Sequence, residues 1–106
     1  MKANELMIGD KVMVKVLSQI PDTYVLHTWT ANDYSRDIQF KPIPLTPEIL
    51  ENNEEVKGLT MFRKNEQGMD CLALIYVPIL NLYYVHEMQR ALRLCGLNEL
   101  ADNFKM

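Results

Sequence analysis

Residues 83–97 read YYVHEMQRALRLCGL, and the spacing of their apolar positions decides the fold class. At 100° per residue, Val85, Met88, Ala91, Leu92 and Cys95 fall within about 120° of a helix circumference, the width of a stripe that buries against a core. Gly96 follows, where a residue free to turn left-handed closes a helix. The stretch predicts an amphipathic helix over Val85 to Cys95, packed on an apolar surface that the rest of the chain must supply.

The same letters begin like a metal-binding helix. In a zinc-protease motif His-Glu-x-x-His places two imidazoles one turn apart on one ion. Here Arg90 stands at the second position, and a permanently charged guanidinium repels a cation. The other histidine, His27, lies in a stretch that reads as a strand. No metal site is expected. Glu87 and Arg90 are spaced as an i, i+3 surface pair worth about 0.2–0.5 kcal/mol. His86, Arg90 and Arg93 project at about 80–140° from Val85 and read as the solvated side of the helix. A sharper reading makes them a basic ridge that docks an acidic partner or a phosphate, with Glu87 weakening its field. Leu94 points about 180° from Val85, onto the polar side. The C-terminal tail, with Leu97, Leu100 and Phe104, is its expected cover. Left uncovered, Leu94 would join Arg90 and Arg93 in a partner-binding surface.

The surface under the helix reads as β-structure. KVMVKVL (11–17) alternates, Val12, Val14 and Val16 against Lys11, Met13 and Lys15, which is the period of a half-buried strand. Gly9-Asp10 and Pro21-Asp22 punctuate it. TYVLHTWT (23–30) and DIQF (37–40) follow as second and third strands, giving an antiparallel meander able to curl into a barrel-like sheet. Trp29 reads as core. Pro42 and Pro44 impose an extended path, after which Thr46, Pro47 and Glu48 form a helix start: N-cap, first-turn proline and a carboxylate at the positive end. Asn52-Asn53 ends that helix early. VKGLTMFRK (56–64) and MDCLALIYV (69–77), joined through NEQG (65–68), read as a hairpin. Its second arm, apolar on both faces and ended by Pro78, is expected to be the central, most buried strand. The fold class is α+β: a small antiparallel sheet with a hairpin, one short helix and one C-terminal amphipathic packing helix.

Length and charge narrow the function. The 106 residues fit one domain, with 48% hydrophobic and 24% charged residues, the balance of a folded globular chain. A net charge of −3 lacks the basic footprint of a nucleic-acid binder, so that class is disfavoured unless a local patch provides it. The longest apolar run, Cys71 to Leu80, is too short to span a bilayer, and no apolar leader precedes Glu5. A cytoplasmic protein is expected, its cysteines free thiols on core faces.

PIPLTPEIL (42–50) and YVHEMQRALRLCGL (84–97) resemble a family of small proteins of unassigned activity from gut Bacteroidetes, often encoded in prophages or other mobile elements. Its members open with a segment similar to ELMIGDKV (5–12), here with Met7 where a basic residue is usual. In similar sequences His or Asn often stands at the position of Arg90. The resemblance covers about half of the chain, leaves 51–80 unmatched, and implies an accessory protein of bacterial or phage origin.

Chemistry-bearing patterns are sparse. Ser18, Ser35 and the cysteines sit in no nucleophile motif, ENNEE (51–55) reads as solvated surface, and the four glycines make no phosphate loop. No catalytic residue and no cofactor is assigned. The reading is a non-catalytic protein-binding or adaptor module acting through His86, Arg90, Arg93 and Leu94, with self-association left open. The alternatives are a small enzyme built around His27 or His86 with nearby carboxylates, and a nucleic-acid-binding accessory protein using the Lys11/Lys15 strand face.

Overall fold

The computed structural model describes residues 5–16, 23–36 and 38–106. The Pro21-Asp22 turn and Asp37 lie outside them. Strand β1 (Lys11–Val16) pairs antiparallel with β2 (Thr23–Thr28), Val14 opposite Val25, and with the two-residue β3 (Phe40–Lys41), Val14 opposite Phe40. The order β2-β1-β3 differs from a sequential meander. The third strand returns to the free edge of β1, where Phe40 shares the face of Val12 and Val14. That face carries a small core of Leu6, Val12 and Trp29, flanked by Val14, Ile38 and Phe40. Trp29 is 1% exposed, with its ring 5.1 Å from Phe40 and 5.8 Å from Tyr34.

Helix α1 (Pro47–Glu51) starts as its residues dictate, with Thr46 Oγ1 accepting from Ile49 N at 3.3 Å and Pro47 in the first turn. Asn53 breaks it, and a second short helix, α2 (Glu54–Lys57), follows, taking the first two residues of the expected 56–64 arm. The asparagine also holds the far end of the chain: its side chain donates to Lys105 O at 2.7 Å and accepts from Lys105 N at 2.8 Å.

The second sheet has the order β4-β5-β6: β4 (Thr60–Lys64), β5 (Asp70–Leu74) and β6 (Val77–Leu82). Asn65 Oδ1 accepts from Gln67 N and Met69 N, and Gly68 takes φ +78° between them, closing the β4–β5 turn. β5 is central and buried along Cys71–Leu74, as its two-sided apolarity requires. The expected single arm ending at Pro78 is instead two strands. The chain reverses at Ile75-Tyr76, and Leu74 pairs with Val77. Pro78 is tolerated because β6 is an edge strand whose register shifts between Leu72 and Leu74, leaving a position that needs no ladder donor. The two sheets do not close into a barrel.

Helix α3 (Val85–Leu94) packs Val85, Met88, Ala91 and Leu92 against Leu72, Leu74 and Leu82, all at most 8% exposed. A Schellman turn ends it: Leu97 N donates to Leu92 O at 2.9 Å, Gly96 N to Arg93 O at 3.0 Å, and Gly96 takes φ +78°. The reversal sends helix α4 (Asn98–Asp102) back along α3, burying Ala101 and Phe104 in the same core. The proline-spaced segment reaches the start of α3 directly, with Leu45 N donating to Tyr83 O and Val85 N to Ile43 O. No helix among the described residues is long and apolar enough to cross a membrane.

Candidate functional site

Helix α3 is covered from two sides, which changes the reading of its polar residues. Besides the sheet under its apolar stripe, the segment leading into β1 lies across its flank. Gln89, fully buried, donates to Gly9 O at 3.0 Å and Ala101 O at 2.9 Å and accepts from Lys11 N at 2.8 Å. Asp10, also fully buried, accepts from Arg93 Nη1 at 2.5 Å and from Met7 N at 2.8 Å. The Arg93 side chain is 12% exposed, and its other terminal nitrogen lies 3.5 Å from Asp102. Gly9 permits the close approach: at φ +94°, an added Cβ would stand 2.7 Å from Arg93 Nη2.

Two of the four residues assigned to an outward face are therefore not outward. Arg93 is a clamp that ties the N-terminal segment and α4 to α3. His86 is 6% exposed, and its ring stacks on Tyr84 at 5.9 Å. Burial pushes the His86 imidazole below its ordinary pKa; Glu87, Asp10 and Glu5 pull it up, Arg90 pushes it down, and burial prevails. A neutral buried imidazole is no part of a basic ridge. Glu87 does not reach forward to Arg90 but turns back, Oε1 accepting from Tyr83 N at 2.9 Å and Tyr84 N at 3.0 Å, as a helix-start cap. The sequence missed this flank because its partners, Gly9, Asp10 and Lys11, lie about eighty residues away.

What stays outward is Arg90 and Leu94, one turn apart on one strip of the helix. Arg90 is half-buried and has no ion-pair partner among the described residues, and its Nε is buried and unpaired. Leu94 is 70% exposed; the expected cover does not reach it, because the Schellman turn carries the tail into the core instead. Beside it opens a groove of about 500 Å³ lined by Tyr76, Val77, Leu94, Cys95 and Leu97. Tyr76 at 63% and Ile75 at 48% exposure extend the apolar surface across the β5–β6 reversal. Cys95 is half-exposed in this groove rather than buried; Cys71 is buried. Sequence reasoning missed Tyr76 because it was placed inside a continuous buried strand.

His27 has a partner that its strand position did not reveal. Its Nε2 lies 2.8 Å from Oδ2 of Asp33, in the 3-10 turn Ala31–Ser35. The same oxygen accepts from Thr30 N at 2.7 Å and Thr30 Oγ1 at 2.9 Å. Burial pushes the Asp33 carboxyl up, but the bonds from His27 and Thr30 outweigh it and hold it below the usual carboxylate range. The carboxylate fixes one ring nitrogen while the His27 side chain remains 34% exposed. This is the orienting half of an acid–base pair. Among the described residues, no hydroxyl or thiol is hydrogen-bonded to the ring to complete one.

A second cavity of about 550 Å³ lies between α1–α2 and α4, rimmed by Glu51, Glu54, Glu55, Glu99 and Lys105. No group of three or more His, Cys, Asp or Glu among the described residues is arranged to hold a metal. Comparison of the chain with protein-family models, with curated proteins and with solved structures gives no match.

Proposed function

We propose that the chain is a non-catalytic protein-binding module whose docking surface is Arg90, Leu94 and the groove closed by Tyr76 and Leu97. The observation that carries the reading is Leu94, 70% exposed beside a 63% exposed Tyr76, although an apolar tail follows it in sequence. A leucine and a tyrosine at the lips of an apolar groove supply the kind of anchor pocket that dominates protein interfaces. The unpaired guanidinium of Arg90, one turn away, sets the partner's charge. The occupant is a segment of a second protein presenting an apolar side chain to the groove and a carboxylate to Arg90. The resemblance of 42–50 and 84–97 to proteins of mobile elements supports an accessory role in a bacterial cytoplasm.

The test is affinity capture from the native host with wild type, Leu94→Asp, Arg90→Glu and, as a control remote from the groove, Gln67→Glu. One set of partners retained by wild type and the control, and lost from both surface variants with unchanged thermal unfolding, supports the module. Partners retained by Leu94→Asp refute the groove.

A second reading, a small enzyme acting through His27, is favoured by the His27–Asp33 bond alone. His86, neutral and enclosed, is not its base. The rate of His27 acylation by diethylpyrocarbonate tests it: an oriented base reacts faster than a free imidazole, and Asp33→Asn abolishes the difference.

A further inference from the structure

One sheet ends in β2 and β3, the other in β4 and β6. Edge strands of folded proteins are guarded against further pairing by shortness, by proline or a bulge, or by charge. β3 has two residues and is followed at once by Pro42. β6 contains Pro78 and a shifted register. β4 carries Arg63 and Lys64. β2 has none of these guards. TYVLHT (23–28) holds no Lys, Arg, Asp, Glu or Pro, and it pairs with β1 at every position without a bulge. Its middle is open to solvent, with Val25 44% and Leu26 49% exposed.

The hydrogen bonds show which backbone groups face outward. Trp29 N donates to Asp10 O and Trp29 O accepts from Gly9 N, both at 2.8 Å, so Trp29 turns its backbone toward β1. Alternation turns His27 and Val25 the same way, and Tyr24, Leu26 and Thr28 outward. β1 agrees: Lys15 N donates to Gln39 O on the β3 side, which leaves Val12 and Val14 to face His27 and Val25. Among the described residues no backbone group meets the outward groups of Tyr24, Leu26 and Thr28. These three positions are symmetric about Leu26. A second copy of β2, turned about a two-fold axis through Leu26, sets Leu26 against Leu26 and each Tyr24 against a Thr28. The pairs exchange about six backbone hydrogen bonds. Val25 then lies opposite His27 of the second copy. No like charges oppose one another, and the residue on the axis is apolar. Lys41 Nζ sits 4.2 Å from the centre of the Tyr24 ring, so that ring leans over the sheet and not across its edge.

We infer that β2 is a self-association edge: two copies of this chain pair their β2 strands antiparallel, in register about Leu26, and join their sheets in the order β3-β1-β2-β2-β1-β3. A foreign extended segment is the competing occupant. It is disfavoured because β2 has no fixed charge, and neither described cavity touches it, so nothing there selects one sequence over another. Its own copy meets every outward group, and each side-chain pair is made twice. No residue of the Leu94 groove lies on β2, so the pairing stands whether or not that groove binds a protein.

Sedimentation equilibrium of the full chain tests the inference. The weight-average mass should rise from 12.4 kDa at micromolar concentration toward twice that value at submillimolar concentration. Leu26→Lys and Leu26→Glu each place like charges on the axis and should stay at the single-chain mass. Mixing the two should restore the dimer, which also shows that both variants fold. Leu26→Cys in a Cys95→Ser background should give a disulfide-linked dimer on mild oxidation, because residues opposed in a hydrogen-bonded pair stand about 5.5 Å apart at Cα. Thr28→Cys, displaced about 14 Å along the strand from its own copy, should not. A single-chain mass at every concentration, as an edge reserved for a foreign strand would give, overturns the inference. So does a dimer that survives Leu26→Lys, a mixture that stays at the single-chain mass, or crosslinking through Thr28→Cys in place of Leu26→Cys.

Discussion

Replacing Arg93 by methionine separates the two pictures of helix α3. An arginine on a solvated helix face is worth a few tenths of a kcal/mol, and its loss would be almost silent. In the structure Arg93 pairs at 2.5 Å with a carboxylate that has no solvent exposure. Methionine preserves the stem that packs along the helix but leaves the buried Asp10 side chain holding Met7 N without its cationic partner. Removing one partner of a buried pair costs about 3–5 kcal/mol. Asp102 adds little, since it lies 3.5 Å away with a side chain 64% exposed. For about 100 residues each kcal/mol moves the melting temperature by about 4 °C, so Arg93→Met should melt about 12–20 °C below wild type. Urea titration should show the same loss as a shifted midpoint with unchanged slope. Asp10→Asn keeps a side-chain acceptor for Met7 N and removes the charge. The double variant should therefore lose less than the sum of the two, with a coupling of about 1–3 kcal/mol. A loss below about 1 kcal/mol in Arg93→Met, or strict additivity, would refute the clamp.

Gly9→Ala should cost about 1–3 kcal/mol, from a strained positive φ and the 2.7 Å approach to Arg93, and much of that should vanish in an Arg93→Met background; paired melts check it. Asn53→Ala should cost about 1–3 kcal/mol and make the amide of Lys105 exchange faster, because both side-chain bonds to the tail are lost. For His86, the folded imidazole is harder to protonate than the unfolded one, so the unfolded state takes up the extra proton. Stability should be full above about pH 6.5 and fall as the pH drops below it, a decline that His86→Gln removes from urea midpoints measured across that range. Asp33 has its folded carboxyl depressed, so its contribution is present above about pH 4 and lost as the pH falls through the folded value; Asp33→Asn should flatten that acid limb.

Elements specified by neighbouring residues were legible in the sequence. Alternation placed β1, the Thr46-Pro47 pair placed the start of α1, Gly68 placed the β4–β5 turn, and the 3.6-residue stripe placed α3. Elements specified across the chain were not. The order β2-β1-β3 depends on Phe40 finding the Val14 face, and a two-residue strand carries no periodicity of its own. β6 was hidden because the chain reverses at Ile75-Tyr76, two residues without turn character, while the breaker that reads as the strand's end, Pro78, lies inside β6. The polar face of α3 was misassigned for the same reason. A helical wheel assumes cover on one side, and nothing local to Gln89 or Arg93 announces Gly9, Asp10 and Lys11, whose contacts span 78 to 83 residues. Of the candidate surface, Arg90 and Leu94 were readable from the wheel. Tyr76 enters only through the β5–β6 reversal.

Site-specific photocrosslinking at Leu94 tests the binding surface most directly. With benzoylphenylalanine at position 94 in the native host, illumination should yield one discrete adduct with a second protein. The adduct should weaken when Arg90→Glu is added and be absent when the probe is moved to Gln67 on the remote hairpin. Adducts of equal intensity and pattern at 94 and 67, or none at 94, would contradict a docking surface built on Arg90, Leu94 and Tyr76.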